Sequence, residues 1–102
     1  MVEVEIMPSA LQDIKGIVSY VRMQSLQNAE KLYEELKEKI ASLQQFAERG
    51  SPVKEVPGLE LREIKLYHFR IIYRCTEDKV QVLTVHHSAR LLGNNPHLTD
   101  LM

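Results

Sequence analysis

Apolar and polar residues follow two rhythms along this chain. Val2-Glu3-Val4-Glu5-Ile6 alternates apolar with acidic positions, the period-two signature of a strand with one buried and one wet face, and Met7-Pro8 ends it. The rhythm then changes. Leu11, Ile14, Ile17, Val18 and Val21 recur at steps of three and four, predicting an amphipathic helix to about Gln24, with Ser9 as N-cap and Gln12 completing a capping box. Gly16 lies inside this helix at a cost of about 1 kcal/mol relative to Ala, which predicts a close packing contact there. After the connector Ser25-Leu26-Gln27-Asn28, a second helix is predicted from an Asn28 cap. Its apolar stripe is Ala29, Leu32, Tyr33, Leu36, Ile40, Leu43 and Ala47, and Gly50 followed by Pro52 predicts a glycine C-cap.

Residues 51–58 read as a loop with two prolines. From Leu61 to Arg90, β-branched and aromatic residues alternate with charged ones and are broken by Thr76-Glu77-Asp78-Lys79, which predicts strands joined by tight turns. With Glu77-Asp78 as a hairpin tip, Tyr73 pairs with Val82, Ile71 with Thr84 and Phe69 with His86 on one face. Arg74, Ile72 and Arg70 then oppose Gln81, Leu83 and Val85 on the other, which continues to His87. The tip lacks glycine, so a slipped register stays open, and a slip of one residue would exchange the faces of one strand. Nothing after Arg90 predicts a helix. The order is β-α-α-β-β-β, which predicts an α+β two-layer sandwich: a helical hairpin packed on one face of a mostly antiparallel sheet, the other face left open.

At 102 residues and 44% hydrophobic, the chain has room for a single domain, residues 1–102, with one core. The formal charge of −1 hides an asymmetry: residues 61–90 hold six Lys/Arg against three Asp/Glu, and the remainder is acidic. A single cysteine excludes an internal disulfide, and no His/Cys spacing suits structural zinc. There is no signal-like apolar run at the start and no run near the roughly 20 residues of a membrane span, so a cytoplasmic location is expected.

The strand-borne cations are the candidate chemistry. Arg62 and Lys65 fall on opposite faces of a regular strand. Arg70 and Arg74 share one face, and with His87 and Arg90 they could hold a phosphodiester or a carboxylate. The plain structural alternative pairs one or two of these arginines with Glu60 or Glu63. His86 and His87, adjacent on a strand, project to opposite faces and cannot share a metal; His87 is the expected exposed one and His86 the core one. Cys75, Tyr33 and Tyr73 read as core, and Tyr67 as exposed. No glycine-rich phosphate loop, serine elbow or carboxylate pair in an apolar setting is present, which argues against a self-contained nucleotide or ester hydrolase, and no cofactor is implied.

Several segments together carry a resemblance: Ser9-Ala10-Leu11-Gln12-Asp13-Ile14 with Ile17 and Tyr20-Val21; Leu61-Arg62-Glu63-Ile64-Lys65; Phe69-Arg70-Ile71-Ile72-Tyr73-Arg74; and Val82-Leu83-Thr84-Val85-His86-His87 with Arg90. In this order the chain resembles the RelE/ParE superfamily of type II toxin–antitoxin systems over nearly its whole length. The resemblance implies a toxin neutralised by a cognate ParD- or RelB-like antitoxin. The helix lengths, the spacing from Tyr20-Val21 to Ala29 and the near-neutral charge favour a ParE-like inhibitor of DNA gyrase. The alternatives are a RelE-like ribosome-dependent mRNA endonuclease and a binding module that kept the fold without toxicity. On the nuclease reading Lys65 and Arg90 would stabilise charge at the scissile phosphate and His87 would move the proton, with Arg62, Arg70 and Arg74 binding. The assembly stays open between a homodimer and a toxin–antitoxin hetero-oligomer.

Overall fold

The computed structural model describes residues 2–88, 92 and 95–99. Strand β1 (Glu3–Ile6) leads into helices α1 (Pro8–Arg22) and α2 (Leu26–Ala41). A two-residue strand β2 (Ser51–Pro52), the meander β3 (Arg62–Leu66), β4 (Phe69–Cys75) and β5 (Lys79–His87), and a short helix α3 (Pro96–Thr99) follow. The sheet order is β1-β5-β4-β3-β2, antiparallel except that β1 runs parallel to β5. The expected α+β sandwich is present, with two helices on one face of the sheet.

The helices start and stop on different residues from those expected. Proline at position 8 takes the first helical turn, where its missing N–H costs nothing, so Met7 becomes the N-cap and no side chain caps α1. Ser9 is freed to donate its hydroxyl to the carbonyl of Leu83 at 2.5 Å. Ser25, rather than Asn28, caps α2, accepting the Asn28 N–H at 3.1 Å. Helix α2 stops at Ala41 instead of running to Gly50, and two 3-10 turns (Ser42–Gln44 and Ala47–Arg49) carry the chain onward. Gly50 is extended, not left-handed. Its reason is proximity: a Cβ there would lie 2.3 Å from Tyr73 Oη and 2.9 Å from the Glu63 carbonyl. The Tyr73 hydroxyl accepts from Gly50 N–H at 3.0 Å and donates to the Ala47 carbonyl at 2.7 Å, which satisfies a fully buried phenol.

Two cores sandwich the sheet. On the helical side Ala10, Ile14, Leu32, Leu36, Ile40 and Leu43 close over Ile64, Ile71, Tyr73, Val80, Val82 and Val85. Each valine, leucine or isoleucine among them contributes about 1.5–3 kcal/mol on full burial. The opposite face was expected to be open, but Ile72 and Leu83 are buried there beneath Val53, Val56 and Leu61 of the 53–61 connection and Leu92 and Leu98 of the C-terminal segment. The proline-rich loop and the tail, which show no regular period, supply a second lid because their valines and leucines have apolar sheet beneath them. Tyr33, expected in the core, is 44% exposed, and Cys75, expected as core filler, is exposed at the end of β4.

The β4–β5 register follows expectation at Tyr73↔Val82 and then changes. An irregularity between Ile72 and Tyr73 shifts the pairing, so that Ile72 opposes Thr84, Ile71 opposes Val85, Arg70 opposes His86 and Phe69 opposes His87. This slip decides where the histidines go.

Candidate functional site

The face of the sheet away from α1 and α2 carries three of the candidate residues, Lys65, Arg70 and Arg74. Lys65, Arg70 and His86 oppose one another across β3, β4 and β5, and so form one row. Arg70 is the centre of that row and is not a free cation. Its guanidinium donates to Glu55 at 2.8 and 3.0 Å and to Glu63 through both Nε, at 2.9 Å, and Nη2. Its side chain is 11% exposed and that of Glu63 10%. Two carboxylates on one guanidinium leave the cluster with a net negative charge. The hydrogen bonds from Arg70 hold the Glu55 carboxyl below the usual carboxylate range despite partial burial, and those from Glu55 and Glu63 push the guanidinium further up.

The other expected members disperse. Arg74 donates to Gln81 at 2.8 Å, and Gln81 in turn donates to Glu5 at 3.0 Å, a relay across three strands at the far end of the face. Arg62 opposes Tyr73 and spends its guanidinium on the carbonyls of Gly50 at 2.8 Å and Glu48 at 3.4 Å. The register slip puts His87 beside Phe69 on the helical side, edge-on at 5.5 Å, with the His68 ring 6.2 Å away. His86, expected in the core, is indeed buried, but on the face of Arg70 where His87 was expected. Lys65 is exposed. Arg90 lies outside the described residues.

A second polar cluster went unread in the sequence. Where β1 leaves the sheet after Ile6, α1 continues along the edge of β5. Met7 N–H donates to the Val82 carbonyl at 3.0 Å, Ser9 reaches the Leu83 carbonyl, and Asp13 Oδ2 accepts from Val85 N–H at 3.1 Å and from the Thr84 hydroxyl. Asp13 Oδ1 lies 3.2 Å from His97 Nε2, and the Asn95 amide reaches both Thr84 Oγ1 at 3.2 Å and His86 Nδ1 at 2.8 Å. These bonds fasten the tail over the sheet. One signal could have been read: Asp13 sits in the inward stripe with Ala10, Ile14 and Ile17, an acid where apolar residues belong. Glu55, Asn95 and His97 had no pattern to announce them.

Chemically, the covered face offers a net-negative cluster of one guanidinium and two carboxylates beside an apolar lid, with Glu63 buried and Glu55 half exposed. Among the described residues no group of three or more His, Cys, Asp or Glu is placed to hold a metal ion, and no helix is long and apolar enough to cross a membrane.

Residues 4–92 match the family model for the ParE toxin of the type II toxin–antitoxin system parDE. Among solved structures, a chain of the chromosomal ParDE TA system from P. aeruginosa is similar at 26% identity with a TM-score of 0.72. The match covers 85% of this chain and 96% of that one. No curated protein matches the chain.

Proposed function

The chain belongs to the ParE toxin family and is the toxin component of a type II toxin–antitoxin system, and from this we propose that it arrests growth by binding DNA gyrase in the cytoplasm. A cognate antitoxin follows from membership of such a system, and we take it to be ParD-like. The observation that carries the gyrase reading is the state of Arg70. Cleaving an RNA backbone calls for cations free to meet the charge that develops on a phosphate. Here Arg70 is covered and shared between Glu55 and Glu63, while Arg62 and Arg74 are bonded within the fold and His87 faces the other side. Such a surface suits recognition of a protein. Lys65 favours the second reading, a RelE-like mRNA endonuclease, because it remains exposed at the end of the Arg70 row.

Induced without antitoxin, the protein is expected to stop growth, to inhibit supercoiling by purified gyrase, and to leave mRNA on programmed ribosomes intact. Lys65→Ala is expected to keep growth arrest. On the nuclease reading mRNA is cut while gyrase is untouched, and loss of a residue that serves the reaction lowers cleavage by about a hundredfold or more. Growth unaffected by a folded, soluble chain would instead identify a binding module without toxicity.

A further inference from the structure

Strand β1 is an edge of the sheet. The N–H of Glu3 donates to the Asp78 carbonyl just before β5 and that of Met7 to Val82 within it, so by the alternation of a strand those of Val4 and Ile6, with their carbonyls, point outward. Behind that edge, on the helical side, β1 and the end of α2 diverge and leave an open groove of about 620 Å³, lined by apolar Val2, Val4, Ile6 and Ile40 and by residues with polar groups, Glu3 and Lys37 among them. The outward Val4 and Ile6 groups and a largely apolar trough thus lie along one line, and the Val2 N–H at the start of the edge is already bonded to the Gln44 carbonyl at 3.3 Å. On the opposite side of β1 stand Glu3 and Glu5.

We propose that this edge and groove dock an extended segment of a partner protein whose residues alternate between apolar and basic. A strand added beside β1 completes the outward Val4 and Ile6 groups and sends alternate side chains to opposite sides of the sheet. Those entering the groove meet Val4, Ile6, Ile40 and Ala41, an apolar lining that favours apolar side chains. Those on the other side flank Glu3 and Glu5, which attract Lys or Arg. The same acids disfavour a second copy of this chain, since an antiparallel β1–β1 pair sets Glu3 and Glu5 of both copies against each other. The site is separate from the Arg70 cluster and independent of which target the toxin has.

The test uses the purified full chain and capped peptides of about nine residues. One alternates valine and lysine, one valine and glutamate, and one is the valine–lysine peptide N-methylated along its pairing edge. The lysine peptide is expected to bind with amide shifts centred on Val4, Ile6 and Ala41, and the N-methylated form to bind not at all. The single variant Glu3→Lys, at the exposed acid of the strand, leaves the Gln81–Glu5 bond in place and is expected to weaken the lysine peptide severalfold and to strengthen the glutamate peptide. Val4→Pro removes an outward N–H that the sheet does not use, together with a side chain packed against the helical core, and is expected to abolish binding while the amides between β3 and β4 keep their positions. Equal binding of the N-methylated peptide, equal binding of both charge patterns, shifts confined to another surface, or a β1-mediated dimer of the chain would each overturn the proposal.

Discussion

Arg70 shows how a single side chain changes meaning between sequence and structure. Read from spacing, it is one of several cations able to meet an anion; in the fold its partners are Glu63, seven residues away, and Glu55 from a loop. Arg70→Met removes the cation and leaves Glu63 buried without it, and is expected to cost about 3 kcal/mol near neutral pH by urea denaturation. The pH dependence follows from Glu55. Its folded carboxyl binds a proton less readily than the unfolded one, so its stabilisation is complete above the ordinary carboxylate range and is lost as the pH falls from that range through the lowered folded value. The gap between wild type and Arg70→Met is therefore expected to be largest at about pH 7 and to narrow towards about pH 3. A gap that stays constant with pH would separate the loss from the ion cluster. The pairing with Glu63 was legible as an alternative in the sequence; the role of Glu55 was not, because nothing in Lys54-Glu55-Val56 says what the loop folds onto.

At the scale of elements, periodicity located both helices and all four principal strands, since an amphipathic face repeats over many residues and survives local noise. Ends and registers were less visible. The end of α2 was read from Gly50, whose absent side chain in fact makes room for the Tyr73 hydroxyl. Gly50→Ala is expected to cost about 1–3 kcal/mol in thermal unfolding. Combined with Tyr73→Phe, which removes the nearest clashing atom, the penalties should sum to less than their separate values. The second interior glycine behaves oppositely. A Cβ on Gly16 meets nothing within 4 Å, so the expected packing contact is absent. Gly16→Ala should stabilise the chain by roughly 0.5–1 kcal/mol, seen as a higher midpoint in the same experiment. A slipped register was an open alternative in the sequence, but nothing there placed the irregularity inside β5, and it exchanged the sides taken by His86 and His87.

Across the whole molecule the feature furthest from expectation is the second lid. Pattern recognises segments that bury one face over several turns or strands. The lid is made of separate single residues, Val53, Val56, Leu61, Leu92 and Leu98, each meaningful only once the sheet exists beneath it. Leu98 is fully buried, and Leu98→Ala is expected to cost about 2–4 kcal/mol in urea denaturation, with new exposure of Ile72 and Leu83 detectable as dye binding. A much smaller loss would mean that the tail contributes little to the fold. The distribution of charge was legible as a local excess of cations in residues 61–90, but Glu55 from outside that stretch joins Glu63 on Arg70 and makes that part of it net negative.

The edge of β5 beyond Ile6 is finished by Ser9 and Asp13 from a helix rather than by another strand. Solvent can then reach the Val85 amide only when the start of α1 lifts away, and not when two strands part. Deuterium uptake at Val85 should accordingly track the opening of that helical turn, and Asp13→Ala should speed it selectively while amides between β3 and β4 keep their pace.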